Sequence, residues 1–332
     1  MFKNKLNILI TGGEGFIGSH LIKLLSLNSK AKVISVDKKI GCNHQYLKKI
    51  IFVKSDIGNT SVILSLLKKY RVNVVIHLAS LISVEESMRK PKSYFDNNFI
   101  KGFKLLESMK KCGVKKIIYS SSAAVYGLTS KKIISENCEK NPNNFYGLTK
   151  NLFEELLEYY SKVHNFNCIN FRIFNVTGAD PEGELKEYHR PETHLLPLVL
   201  RCMNFNRPVI IYGSDYNTPD GTCVRDYIHV NDVCRAILKA VPLLFQRKIC
   251  ESFNLGFGKG LSVLEVINTC GRIFKKNPKI NWQEKRVGDP EILVADCGKI
   301  KRFLKWKPNY DLEKMIIHTF QSFYGKNNQF IP

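Results

Sequence analysis

The sequence predicts an α/β protein: a doubly wound parallel sheet followed by a smaller α/β unit. Three observations predict it. Short, continuous apolar runs alternate with helical periodicity through the first half; a glycine turn separates the first run from the first helix; and the chain changes character from about residue 176. In order, residues 7 to 11 (NILIT) read as a buried strand, 16 to 27 as a helix, 33 to 37 (VISVD) as a strand and 50 to 56 (IIFVKSD) as another. Residues 60 to 70 are helical, 72 to 79 (VNVVIHLA) a strand, 92 to 111 a helix and 115 to 122 (KKIIYSSS) a strand. A long helix at 146 to 163 and a strand at 168 to 174 (CINFRIF) complete the pattern. Because these strand runs are apolar throughout, helices are expected on both faces of the sheet. Beyond 176, loops rich in Gly, Pro, Asp and Glu (GADPEGELKEYHRPE, GSDYNTPDGT) separate shorter elements. The expected division is therefore 1–175 and 176–332, with part of 226–250 returning to the first domain.

A chain of 332 residues with 44% hydrophobic and 24% charged residues is globular and long enough for about two domains. Fifty-one Lys and Arg against 29 Asp and Glu leave a net charge of +22. The lysines recur singly or in pairs (Lys3, Lys5, Lys23, Lys38, Lys39, Lys48, Lys49, Lys68, Lys69, Lys115, Lys116), with no basic run, zinc finger or aromatic RNA-binding signature. A solvated basic surface is expected, with no nucleic-acid partner and some preference for an anionic substrate. The ten cysteines form no CxxC pair and the eight histidines no HExxH or HxxxH pair, so reduced thiols and no metal site are expected. LNILI is too short for a signal segment and no run approaches the roughly 18 apolar residues of a membrane span. The expectation is a soluble, cytoplasmic protein with no membrane partner.

The stretch from Thr11 to Gly18 carries glycines at 12, 15 and 18, between the first strand and the first helix. Gly12 permits a tight turn, Gly15 lets the backbone approach a pyrophosphate, with Phe16 and Ile17 opening the helix, and Gly18 lets helix and strand pack closely. This context makes the first domain a dinucleotide-binding, Rossmann-type unit. Asp37, 19 residues beyond Gly18 at the end of VISVD, would accept hydrogen bonds from the adenosine ribose and repel the extra phosphate of NADP. NAD is favoured, although Lys38 and Lys39 could instead neutralise that phosphate.

Tyr146 and Lys150 stand four residues apart on one helix and so share a face. Holding a tyrosine as phenolate near pH 7 takes about 3 pKa units, or roughly 4 kcal/mol. A lysine ammonium and a positive nicotinamide ring could together supply that stabilisation. Ser120, Ser121 and Ser122 end a strand at the carboxyl edge of the sheet, where ligands bind in doubly wound folds, and Ser122 would share a substrate proton with Tyr146.

TGGEGFIGSH, HLASLISVEES, YSSSAAVYG, YGLTK, FNVTGADPEG, DGTCVRDYIHV, FNLG and RVGDPEILVAD, in that order, resemble the extended short-chain dehydrogenase/reductases, and within them the UDP-glucose 4-epimerases, over nearly the whole chain. The resemblance implies catalysis by Tyr146, Lys150 and Ser122. It also implies cofactor contacts from Asp56 and Ile57 at the adenine, from Leu78, Ala79, Ser80 and Ile82 along the dinucleotide, and from Asn97 and Phe174. On the substrate side it implies Asn175, His194 and Leu195 near the diphosphate and sugar, Tyr212 against the uracil, and Arg225, Arg286 and Asp289 around the phosphates and ribose. A guanidinium fork suits phosphate oxygens. Leu293 would bound the space around the sugar, admitting N-acetylated forms in part. The implied reaction is C4 epimerisation of a UDP-hexose through a 4-keto sugar with tightly held NAD, in galactose metabolism and by a homodimer.

Four positions depart from the family pattern: Ala124 for Thr, Ile82 for Lys, Ile173 for Tyr and Phe103 for Thr. They bear on rate more than on reaction type. The rival readings are a UDP-N-acetylhexosamine epimerase, a nucleotide-sugar dehydratase or decarboxylase, and a non-catalytic NAD-sensing protein. Ala123 and Ala124 stand where a dehydratase usually carries Asp-Glu.

Overall fold

The computed structural model describes residues 6–39, 50–129, 131–185, 187, 192–286 and 288–325. Lys3, Lys5, Cys42, Lys48 and Lys49 of the sequence reading lie outside them. The strands, in chain order, are β1 (Asn7–Thr11), β2 (Lys32–Asp37), β3 (Ile50–Lys54), β4 (Val74–His77), β5 (Lys116–Ser122), β6 (Ile133–Ile134) and β7 (Asn167–Ile173), followed by β8 (Asn175–Thr177), β9 (Val209–Tyr212), β10 (Val224–His229), β11 (Cys250–Leu255), β12 (Gly260–Ser262), β13 (Ile280–Gln283) and β14 (Ile292–Ala295). The chain forms two compact units. One comprises residues 1–127, 139–173 and 234–253, and the other 128–138, 174–233 and 254–332.

The first unit is built on a seven-stranded parallel sheet of order β11-β7-β5-β4-β1-β2-β3. Strand order reverses between β1 and β4, which opens a crevice at their carboxyl ends, where doubly wound sheets bind ligands. Thr11 and His77 are opposed there, and Asp37 and Ser122 end the neighbouring strands. Leu9, Ile34, Val75, Ile117, Leu105 and Leu106 pack into one core with Phe153 and Leu157, so the sheet's apolar runs are covered as their lack of alternation requires.

Helix Phe145–His164 begins where the Asn144 side chain accepts the Gly147 amide at 2.8 Å and ends at left-handed Asn165. Glycine at 102 admits it, since a Cβ there would lie 2.5 Å from the Phe153 ring.

The single helix expected over 92 to 111 is three pieces: Pro91–Tyr94, a π turn Phe95–Ile100, and Lys101–Lys111. Asn98, buried in the π turn, donates to the Leu81 carbonyl at 3.0 Å and to Thr149 Oγ1 at 3.2 Å, and accepts the Leu81 amide at 2.8 Å. The wider turn thus hands its side chain to the loop after β4, where a regular helix would have turned it elsewhere. A short helix, Val84–Arg89, was also not anticipated.

The second unit holds a five-stranded sheet of order β12-β10-β14-β6, with β8 joined to β10, and a separate parallel pair, β9 and β13. Leu196, Val199 and Leu200 pack with Ile211, Ile267, Ile316 and Phe320 in its core. Among the described residues, nine cysteines are free thiols and no helix is long and apolar enough to cross a membrane.

Candidate active site

The glycine turn has the geometry its spacing requires. Gly12 is left-handed (φ +75), and a Cβ there would meet the Ala79 amide nitrogen at 2.6 Å. A Cβ on Gly18 would lie 2.1 Å from the Gly12 carbonyl, so strand and helix meet only because both positions lack side chains. Gly15 caps the helix Phe16–Asn28 with extended backbone, leaving the helix N-terminus bare of side chain. Such a cradle fits the pyrophosphate of a dinucleotide.

Asp37 accepts the Glu14 amide at 3.1 Å and the Lys39 amide at 3.2 Å, which fixes its carboxylate beside the turn. Lys38, a possible partner for an extra phosphate, is turned elsewhere: its ammonium donates to Asn97 Oδ1 at 3.1 Å and lies 3.3 Å from Asp56. Asp56 also accepts from Lys101 at 2.6 Å and from the Gly58 amide at 2.7 Å. Burial pushes its carboxyl up, but these partners outweigh that and hold it below its usual value. The Leu78 amide donates to Thr11 O, and the backbone to Ala79 passes against Gly12. Ser80 donates to Leu81 O, Ile57 is buried, and Ile82 is exposed.

At the far side of the crevice, the Ser122 hydroxyl stands close enough to the Tyr146 phenol to influence its ionisation. Lys150, 2% exposed, donates to the Ser120 carbonyl at 2.7 Å with its ammonium 5.6 Å from the centre of the Tyr146 ring. The three residues singled out from the sequence are therefore together. Burial raises the Tyr146 phenol above its ordinary value, only partly opposed by Ser122. Burial also pulls Lys150 down to about 7, against the raising effect of Glu154. The lysine alone does not make the phenolate; a further positive charge is needed.

The support behind these groups was not visible in the sequence. Ser87 accepts the Tyr146 amide at 3.0 Å, and Thr149 donates to the Tyr146 carbonyl at 2.7 Å. Glu154, fully buried, takes Ser121 Oγ at 2.5 Å and Arg172 Nη2 at 2.8 Å, and Arg172 reaches the Tyr126 hydroxyl at 2.9 Å. Glu154 could have been suspected, since it continues the four-residue spacing of Tyr146 and Lys150. His77 meets Thr11 Oγ1 at 2.7 Å, and burial together with the Lys150 charge pushes it down to about 3, so it stays neutral.

In the second unit, Arg225 pairs with Asp289 at 2.6 Å and stands opposite Leu293 in register. The Arg286 guanidinium stacks 3.9 Å from the centre of the Tyr212 ring. Tyr216, missed from the sequence, is buried within the field of Arg225, Arg286 and Asp289, and its hydroxyl has no hydrogen-bond partner among the described residues. His194 is the cap residue before helix Leu195–Asn204 and meets Glu187 at 3.0 Å and Glu192 at 2.9 Å. Burial pulls it down, yet the two carboxylates raise it to about 10, so it is a cation. This trio is also close enough to hold a metal ion, although the sequence suggested no such site. Phe174 is buried and Asn175 exposed at the start of β8.

The chain matches the NAD dependent epimerase/dehydratase family over residues 8–256. It is 37% identical over 316 residues to the UDP-glucose 4-epimerase of Streptococcus mutans, covering 93% of this chain and 94% of that protein. The structure of UDP-glucose 4-epimerase from Brucella ovis in complex with NAD superposes with a TM-score of 0.91 at 36% identity, over 96% of this chain and 98% of that one. The Bifidobacterium longum enzyme in complex with NAD+ and UDP gives 0.88 at 33%, over 95% and 97%. A glycine cradle at the sheet's switch point, a Ser122–Tyr146–Lys150 cluster beside it and similarity along nearly the full chain place this protein in the NAD dependent epimerase/dehydratase family.

Proposed function

We propose that this protein interconverts UDP-galactose and UDP-glucose by epimerisation at C4. The observation that carries the reading is the Ser122–Tyr146–Lys150 cluster, in a chain whose near-full-length relatives are UDP-glucose 4-epimerases. Gly12, Gly15, Gly18 and Asp37 would hold NAD, with the stretch from Leu78 to Ile82 along it. When bound, NAD supplies the acceptor and donor of hydride at the sugar C4 and a positive charge near the phenol.

Tyr146 takes the proton of the sugar 4-hydroxyl, relayed by Ser122, and returns it after the 4-keto sugar has turned over. Lys150 keeps its ammonium near the phenol while Ser120 and Glu154 orient it. Arg225 and Arg286 bind the diphosphate and Tyr212 the base, with Asn175, His194 and Leu195 near the diphosphate and the sugar. That grip is remote from the reacting ring, so the sugar can rotate while the nucleotide stays anchored. A second reading, tolerance of N-acetylated sugars, rests on Leu293, which is half-buried and therefore not sealed in the core. A Leu293→Gly variant with an unchanged preference between UDP-glucose and UDP-N-acetylglucosamine removes it.

The protein works in the cytoplasm as a homodimer; Phe103, Tyr159 and Val163, exposed on helices Lys101–Lys111 and Phe145–His164, supply an apolar surface for self-association. The test of the activity is incubation of purified protein with UDP-galactose and no added NAD. UDP-glucose should accumulate to equilibrium, and its absence with folded, NAD-loaded protein overturns the proposal.

A further inference from the structure

Cys168 and Cys250 lie on neighbouring strands of the first unit, β7 and β11. The Cys168 amide donates to the Ile249 carbonyl at 2.8 Å, and the Phe174 amide to the Leu255 carbonyl at 3.0 Å, with the same offset. In a parallel ladder, an amide bonded to one carbonyl stands opposite the next residue along. Cys250 is therefore opposite Cys168, and both side chains leave the same face of the sheet. Neighbouring strands are about 4.8 Å apart, within the roughly 4.4–6.8 Å that separates Cα atoms across a disulfide. Neither thiol is bridged, and the Cys168 thiol donates to the Leu157 carbonyl at 3.7 Å.

The environments of the two sulfurs differ. Cys168 is fully buried, while Cys250 is partly exposed. The neighbouring Cys168 thiol pulls the Cys250 thiol below its ordinary value, with Ser161 helping, while burial pushes it back. Cys168 is raised by the neighbouring Cys250 and by burial. Of the two, Cys250 thus has the lower pKa and the greater exposure, and Cys168 stands behind it.

We propose that Cys168 and Cys250 are a peroxide-reactive pair that closes into a reversible disulfide. The Cys250 thiolate attacks one oxygen of hydrogen peroxide and the O–O bond breaks, leaving a sulfenic acid and hydroxide, which takes a proton to become water. The Cys168 thiol then attacks the Cys250 sulfur, the S–OH bond breaks, and the thiol proton leaves with the hydroxyl as a second water. Two thiols are oxidised by two electrons and one peroxide is reduced to two waters.

Closing the bridge withdraws the Cys168 thiol from the Leu157 carbonyl, now 3.7 Å away, on the helix that carries Tyr146 and Lys150.

The test treats the native protein with hydrogen peroxide, quenches it in acidic denaturant, blocks remaining thiols with N-ethylmaleimide and maps the peptides by mass. The expected product is a cross-link between the Cys168 and Cys250 peptides, lighter by two hydrogens and reversed by dithiothreitol. Cys168→Ser should leave a Cys250 sulfenic acid that dimedone captures, and Cys250→Ser should leave Cys168 unoxidised. Recovery of both peptides as N-ethylmaleimide adducts after peroxide has oxidised exposed methionines overturns the proposal. So does Cys250 passing to sulfinic acid in the wild type with no cross-link.

Discussion

Tyr146→Phe removes one oxygen from a ring that the protein otherwise keeps in place. The ring stays packed, Lys150 keeps its 2.7 Å bond to the Ser120 carbonyl, and the Ser87 contact is to the backbone amide and survives. What is lost is the phenol oxygen beside Ser122 and its interaction with that hydroxyl. Because Ser122 is only half-buried, its hydroxyl can turn to water, and the stability cost should be near the low end of the usual range, about 0.5–1 kcal/mol.

The cost in rate is larger. Loss of a general base lowers turnover by about 10² to 10⁴, which at 1.36 kcal/mol per decade is roughly 2.7 to 5.4 kcal/mol of transition-state stabilisation. Ser122→Ala in the Tyr146→Phe background should cost less than about another tenfold, since a relay without its terminus has little left to lose. Turnover is read as UDP-glucose formed from UDP-galactose through a coupling dehydrogenase, and UDP affinity by calorimetry. Turnover near wild type in Tyr146→Phe, with UDP binding intact, refutes the base assignment; full multiplicativity of the two substitutions refutes the relay.

Asp37→Ala should narrow the preference for NAD over NADP, and NADP found bound in the purified wild type would contradict the role given to Asp37. Glu154→Leu and Arg172→Met should each cost about 3–5 kcal/mol by stranding a buried charge, while the double variant recovers much of that; strict additivity in urea unfolding would show that the two are not coupled. His77 titrates at about 3 in the folded chain and near 6.5 unfolded, so unfolding takes up a proton between those values. Its contribution is present above pH 6.5 and lost as pH falls toward 3; His77→Gln should flatten that part of the stability profile, and an unchanged slope would count against it.

The readable parts of the site depend on short spacings. Three glycines over seven residues, an acid at the next strand's end, and a tyrosine and lysine one helical turn apart are local statements, and the backbone geometry of a turn or helix converts them directly into positions. The apolar, non-alternating runs likewise announced a sheet covered on both faces, because nothing else buries both sides of a strand.

Where a residue's role depends on a distant partner, the sequence was silent. Asn98 looks like one more polar residue in a helix until the π turn aims it at Leu81. Lys38 reads in the sequence as able to neutralise an extra phosphate, but Asp56 and Asn97 take its ammonium. The Ser121–Glu154–Arg172 network and the opposition of Cys168 to Cys250 arise only from which strands are neighbours. Local propensity fixes a strand's existence and faces. Its neighbours are chosen by the burial and hydrogen-bond satisfaction of the whole sheet, so partnerships across tens of residues belong to the tertiary structure.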